Sequence, residues 1–197
     1  RQYTTRGMNL IQQNVNSFSP KIEKWLLSQT DANIVCIQEH RQRGEGYTRM
    51  LRVLSKRYNV YAHPANIKEV GNSSGVAILI ERGIHSEPLS VIVNTTKSWV
   101  GCVTRFNGIT TALVNLYLPP GSYEQNLKTL FEVSAQIKNV KCPFLVCGDW
   151  NDDPETIART NEGLYSQAQL ITPSDSEVTC LIGQGTMIDY AFVSGQM

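Results

Sequence analysis

The sequence predicts an α+β protein in which two packed sheets form a sandwich with helices outside. Two observations carry this reading. Short continuous apolar runs, such as "NIVCIQE" at 33–39 and "PFLVCGD" at 143–149, read as strands buried on both faces. They alternate with amphipathic helical stretches in the order strand, helix, strand, helix, a run of strands, helix, strand, helix and two strands. The length of 197 residues suits a single domain able to bury a sizeable core.

The elements follow in order. "MNLIQQNV" (8–15) is an apolar start ending in amides and reads as a strand. "SPKIEKWLLSQ" (19–29) puts Ile22, Trp25, Leu26 and Leu27 on roughly one helical face, with Ser19 as N-cap and Pro20 behind it. A helix is expected over 46–57, with strands at 59–64 and 72–83. "LSVIVNTT" (89–96), "WVGCVTRFNG" (99–108) and "TTALVNLYLPPG" (110–121) are further strands, and Asn107-Gly108 is the best hairpin signal in the chain. The longest helix is expected over 122–140, with Leu127, Leu130, Phe131, Val133 and Ile137 near helical spacing. A short helix starts at about Pro154, and "SEVTCLIG" and "GTMIDYAFVS" close the chain as a strand pair.

Composition narrows the function classes. A charge of +1, from 18 basic and 17 acidic residues, argues against a protein that coats nucleic acid but permits an enzyme with one local basic patch. Such a stretch exists in Arg41, Arg43, Arg49, Arg52, Lys56 and Arg57; it reads equally as a solvated helix face or as a set of contacts to backbone phosphates. The five cysteines are scattered, with no CxxC pair, and read as buried, reduced residues of an intracellular protein. No apolar run approaches the length of a membrane span, and no signal peptide is visible. Asn72 and Asn94 lie in N-x-[ST] triplets, which arise often by chance.

The chemistry lies at the strand ends. "FLVCGDWNDDP" (144–154) runs an apolar strand into Asp149 and Asn151. Taken alone, these are good turn and N-cap residues, and Pro154 suits a first helical turn. But Asn14, Asn16, Glu39, Asn115, Tyr117 and Asp189 also sit on apolar strands or at their ends. If these positions converge, they form a pocket of carboxylates, amides and a phenol. Carboxylates gathered together repel unless a cation lies among them, and oxygen-only donors favour Mg²⁺ or Mn²⁺. Such a site suits phosphodiester hydrolysis.

The ordered segments "QNVNSF", "IVCIQEH", "GVAILI", "VNLYLPPG", "CGDWN" and "MIDYAFVS" resemble the endonuclease/exonuclease/phosphatase superfamily over residues 8–194. Asn14-Val15-Asn16 and the compact length are most similar to its exonuclease III-like and LINE-type retrotransposon members. The resemblance implies a four-layer α/β/β/α sandwich of the deoxyribonuclease I type. It implies that Glu39 is the main metal ligand, helped by Asn14 and Asn16, with Mg²⁺ or Mn²⁺ as cofactor. It further implies that Asp149 orients or deprotonates the attacking water and that Asn151 is its partner. Tyr117 would aim its phenol at the scissile phosphate, and Asp189 would orient a histidine. Asn14 counts among the catalytic set as well.

The superfamily ends in a Ser-Asp-His on one further strand, whereas this chain ends at Met197 and holds only His40, His63 and His85. The chain is therefore expected to be a C-terminally incomplete single domain, cut from a longer parent and leaving one sheet edge unpaired. The expected activity is metal-dependent DNA nicking of a retrotransposon-like element. DNA is the partner, and the location is nuclear in that case. RNA, a phospholipid head group or an inositol phosphate are the other substrate classes. A binding module that does not cut is the alternative of another kind.

Overall fold

The computed structural model describes residues 9–29, 31–67, 72–89, 94–106, 108–160, 168–172 and 187–194. The elements, in chain order, are β1 (Leu10–Asn14), α1 (Pro20–Ser28), β2 (Ile34–Gln38), α2 (Gly44–Leu54), β3 (Tyr58–His63), β4 (Asn66–Ile67), β5 (Asn72–Ser73), β6 (Val76–Glu81), β7 (His85–Pro88), β8 (Trp99–Phe106), β9 (Ile109–Tyr117), α3 (Tyr123–Val140), β10 (Phe144–Asp149), α4 (Pro154–Thr160), β11 (Ala168–Ile171) and β12 (Asp189–Ser194). One sheet has the order β1-β2-β6-β3, the other β11-β12-β10-β9-β8-β7, and β4-β5 form a separate small hairpin. Among the described residues no helix is long and apolar enough to cross a membrane.

Strand period generates the layers. On β2, Ile34 and Cys36 face the other sheet, while Val35 and Ile37 face helices. Leu26, Met50 and Leu54 of α1 and α2 pack on that outer face. On β10, Leu145 and Cys147 point inward, while Val146 points to Leu130, Val133 and Ile137 of α3 and Ile157 of α4. Both faces of the central strands are thus covered, which is why they read as continuous apolar runs. The result is the expected sandwich of helices, sheet, sheet and helices.

The local signals hold at several points. Ser19 caps α1 by accepting from the Ile22 amide, and Pro20 opens the helix. The β8–β9 register pairs Phe106 with Ile109, and Gly108 has φ +84°, as a tight hairpin there requires; Asn107 lies outside the described residues. Other expectations need correction. Of the strand expected at 89–96, residues 90–93 lie outside the described set, and Leu89 and Asn94 to Thr96 are loop; the short β7 before it was not foreseen. The helix expected at 46–57 runs from Gly44 to Leu54. Phe131 is 62% exposed, because Leu130, Val133 and Ile137 already make the buried stripe of α3 and Phe131 lies about 100° round the helix from it. "SEVTCLIG" lies outside the described residues; the described partners of β12 are β10 and the unforeseen β11. Cys36, Cys102 and Cys147 are buried free thiols, as expected, but Cys142 is only half-buried.

A fully buried polar cluster crosses between the sheets at Asn115. Asn115 of β9 donates from Nδ2 to the carbonyls of Ile37 (2.9 Å) and Ala77 (2.9 Å), in β2 and β6. Its Oδ1 accepts from Gln38 Nε2. Both side chains are fully buried. At the same end, a Cβ on Gly148 would lie 2.2 Å from the Leu116 carbonyl oxygen, so only glycine lets β10 approach β9 this closely.

Asn115→Leu is expected to lose about 3 kcal/mol in urea unfolding, because Gln38 Nε2 is left buried without an acceptor. The double variant Gln38→Leu/Asn115→Leu is expected to recover much of that loss, since removing both partners removes the unpaired donor. Gly148→Ala is expected to cost about 3 kcal/mol in the same assay, from overpacking against rigid backbone.

Candidate active site

The sheet registers bring three of the proposed residues into one row. In parallel β9–β10, Asp149 lies beside Tyr117; in antiparallel β10–β12, it lies beside Asp189. Alternation puts all three on the face turned toward the other sheet, where Cys147 also points. Opposite them stand the ends of β1 and β2, whose parallel register pairs Asn14 with Gln38, the residue before Glu39.

Hydrogen bonds close the gap between the two rows. Asn14 Nδ2 donates to Asp149 Oδ2 at 2.7 Å. Asn14 Oδ1 accepts the Asn16 backbone amide at 3.0 Å, which fixes the side-chain amide so that its nitrogen faces the acid. Gln12, two residues back on the same face of β1, donates to the Gly148 carbonyl at 2.7 Å and to Asp189 Oδ1 at 3.3 Å. The Tyr117 phenol lies close enough to the Glu39 carboxylate to be perturbed by it. Glu39 also takes the Arg41 guanidinium at 2.7 Å.

Asp149 and Asn151 point the way they do because of the residue between them. Trp150 turns outward, donates from Nε1 to the Tyr190 carbonyl (2.9 Å) and stacks on the Tyr190 ring at 5.1 Å between centroids. Its own amide bonds the Ile188 carbonyl at 2.8 Å. With the strand end pinned there, Asn151 adopts φ +48°, donates from its backbone to Asp149 Oδ1 (3.2 Å) and from Nδ2 to the Leu118 carbonyl (2.8 Å). Glu39 (φ +54°) and Asn16 (φ +48°) are likewise left-handed, a conformation that costs a non-glycine residue about 1 kcal/mol or more. Three of the proposed residues thus sit in strained backbone at strand ends.

The electrostatics match this crowding. Burial pushes the Asp149 carboxyl up to about 7, with Asp189 and Glu39 adding to the rise and the Asn14 and Asn151 hydrogen bonds opposing it. Tyr117 is pushed above the ordinary phenol range by burial, by the nearby Glu39 carboxylate and by the charge of Asp149. It is held as the neutral donor.

His40 is not part of this set. Its ring is fully buried, accepts at Nδ1 from the Gln42 amide (3.1 Å) and meets the His63 carbonyl at Nε2 (2.9 Å), so Nε2 carries the proton. Burial lowers it to about 4. A Cβ on Gly75 would come within 2.6 Å of this ring. His40 is a buried brace behind Glu39. His63 is half-buried at the end of β3, and His85 is exposed on β7. The basic stretch does not form one phosphate-facing patch. Arg41 pairs with Glu39, Arg49 with Glu23 at 2.8 Å, and Arg57 donates to the Leu27 and Gln29 carbonyls; Arg43, Arg52 and Lys56 are exposed.

Sequence reasoning missed Gln12 and the pairing of Arg41 with Glu39. The signal for Gln12 was its i, i+2 relation to Asn14 on a strand. For Arg41 there was none, because its reach to Glu39 depends on left-handed backbone at both residues, Arg41 itself having φ +55°.

No curated protein sequence matches this chain. Solved structures do. The human nocturnin catalytic domain with bound sulfate is 15% identical, with 95% of this chain and 82% of that one covered and a TM-score of 0.64. A Neisseria 3′ phosphatase, NExo, bound to a product DNA hairpin is 14% identical, with 97% and 88% covered and a TM-score of 0.63. The endonuclease domain of TRAS1, a telomere-specific non-LTR retrotransposon, is 16% identical, with 96% and 86% covered and a TM-score of 0.63. At these identities the likeness is one of fold. The family model described as "Endonuclease/Exonuclease/phosphatase family" matches residues 11–197, and on that match the chain belongs to the endonuclease/exonuclease/phosphatase family.

Proposed function

We propose that the chain hydrolyses phosphodiesters with a divalent cation, as a DNA-nicking endonuclease of a retrotransposon-like element. Family membership supports the hydrolase class. The observation that carries the reading to this site is the Asn14–Asp149 bond, which joins the two strand-end rows at the point where the acids converge. DNA as substrate draws on the likeness to the TRAS1 endonuclease domain and to NExo with its DNA hairpin.

The donor set fits a hard cation. It consists of carboxylate and amide oxygens; burial does most to raise the Asp149 carboxyl, and the further rise from Asp189 and Glu39 is what a cation among these acids would offset. Glu39 with the side-chain oxygens of Asn14 and Asn16 would hold Mg²⁺ or Mn²⁺, whose charge would stabilise the oxygen that leaves phosphorus. Asp149, with its carboxyl near neutrality, accepts a proton from the attacking water. Asn151, braced on Leu118, keeps Asp149 aimed through its backbone amide. Tyr117 donates its hydroxyl proton to an oxygen of the phosphate as negative charge builds there. Asp189, tied to Gln12, fixes the outer side of Asp149. Arg41 neutralises part of the Glu39 charge, and a cation held by that carboxylate would leave its guanidinium free to pair with phosphate.

Supercoiled plasmid should be nicked with Mg²⁺ and not in excess chelator. Asp149→Asn should lower the nicking rate about 10²- to 10⁴-fold while leaving the melting temperature unchanged or higher, since it relieves the crowding of acids. Tyr117→Phe should cost about 10²-fold in rate with KM little changed. A folded wild-type chain that leaves DNA intact in Mg²⁺ and in Mn²⁺, or an Asp149→Asn variant as active as wild type, would overturn the proposal.

A further inference from the structure

A second concavity opens beside the site and is used by none of the chemistry above. It lies where the β3 edge of one sheet faces β8 of the other and has a volume of about 420 Å³. That is within the range of small-molecule sites, roughly 300–1,000 Å³. Tyr61 and His63, two apart on β3, share one wall. Leu89, Val100 and Asn94 also line it.

Two short links tie this cleft to the strand ends that carry the acids. The His63 carbonyl meets the His40 ring, which is bonded in sequence to Glu39. The Ser98 carbonyl, next to Trp99 in the cleft wall, accepts the Tyr117 amide at 2.8 Å. The cleft therefore opens at the same end of the sandwich, one strand away from the phenol and the acids.

Between the cleft residues Asn94 and Trp99 the chain carries a cation in strained backbone. Lys97 is exposed, sits at φ +56°, and donates its amide to Asn94 Oδ1 at 2.7 Å. Its charge is near enough to His63 to help hold that imidazole, already lowered by burial, in the neutral form. The loop bearing Lys97 is braced on all sides. Asn94 Nδ2 donates to the Trp99 carbonyl, and Glu132 of α3 collects Thr95, Thr96 and the Trp99 indole N–H.

We propose that this cleft is a subsite for the nucleotide next to the scissile phosphate: the base enters between Tyr61, His63 and Leu89, and Lys97 takes that nucleotide's own phosphate. The phenol and imidazole offer flat faces for stacking, and Tyr61 is held by its hydroxyl on Ser86 Oγ at 2.9 Å. The neutral imidazole can hydrogen-bond a base edge without bringing a second charge. The subsite rests on the reading of the chain as a nuclease, and its test does not depend on turnover.

The test scans 5-iododeoxyuridine through a short DNA duplex and its single strand, bound to the 197-residue chain in chelator, and maps photocrosslinks by peptide mass spectrometry. Crosslinks at Tyr61 or His63 from one or two adjacent positions are expected. Lys97→Gln is expected to weaken binding roughly tenfold and to reduce the slope of log affinity against log salt by about one. In a substrate without a flanking nucleotide, bis(4-nitrophenyl) phosphate, the same variant should turn over at the wild-type rate. Crosslinks only elsewhere, or an unchanged affinity and salt slope in Lys97→Gln, overturn the subsite even if the chain nicks DNA. Crosslinks at Tyr61 or His63 in a chain that fails to nick DNA uphold the cleft as a nucleotide site and overturn the nuclease reading alone.

Discussion

The buried amide pair Asn115–Gln38 governs how this sandwich is assembled. Two sheets with apolar inner faces can slide on one another at small cost, since the hydrophobic effect has no direction. An amide that must reach two specific carbonyls, Ile37 and Ala77, cannot slide. The site hangs from this point. Two residues beyond Asn115 is Tyr117, and one residue beyond Gln38 is Glu39. Fixing the amides fixes the meeting of the phenol with the carboxylate. Where the fold carries a polar contact in its core, it does so one step from its chemistry.

The strand ends are correspondingly expensive. Glu39, Asn16 and Asn151 all hold left-handed backbone, and Asp149 sits nearly buried among other acids. Each feature works against stability, and each is outweighed locally. Trp150 packs on Tyr190 and bonds two carbonyl- or amide-bearing neighbours across the sheet. His40 is clamped between Gln42 and His63 behind Glu39. These braces hold strained groups in place before any ligand arrives, which is the arrangement a preorganised electrostatic site requires.

Much of the fold could be read from local pattern. Ser19-Pro20 marked the start of α1, Asn107-Gly108 the β8–β9 turn, and "FLVCGD" the buried β10, because caps, turns and doubly covered strands each leave a signature within a few residues. β7 was not foreseen because "HSEP" is short and polar, as an edge strand is. Phe131 was assigned by hydrophobicity alone, but the buried stripe of α3 was already full. The arginines were grouped by their nearness in sequence, yet helix α2 and the turn after it send Arg49 and Arg57 to different acceptors.

The sequence by itself determined the family, the layer order and the identity of the polar residues at the strand ends, because these follow from periodicity and from short ordered motifs. The tertiary structure alone decided which of those residues meet. Asn14 and Asp149 are 135 positions apart, and Gln12 and Asp189 are 177 apart. Only sheet register and the inter-sheet clamp bring them within hydrogen-bonding distance. The same holds for the backbone strain at Glu39 and for the cleft between β3 and β8. Both depend on long-range packing, which no window of sequence contains.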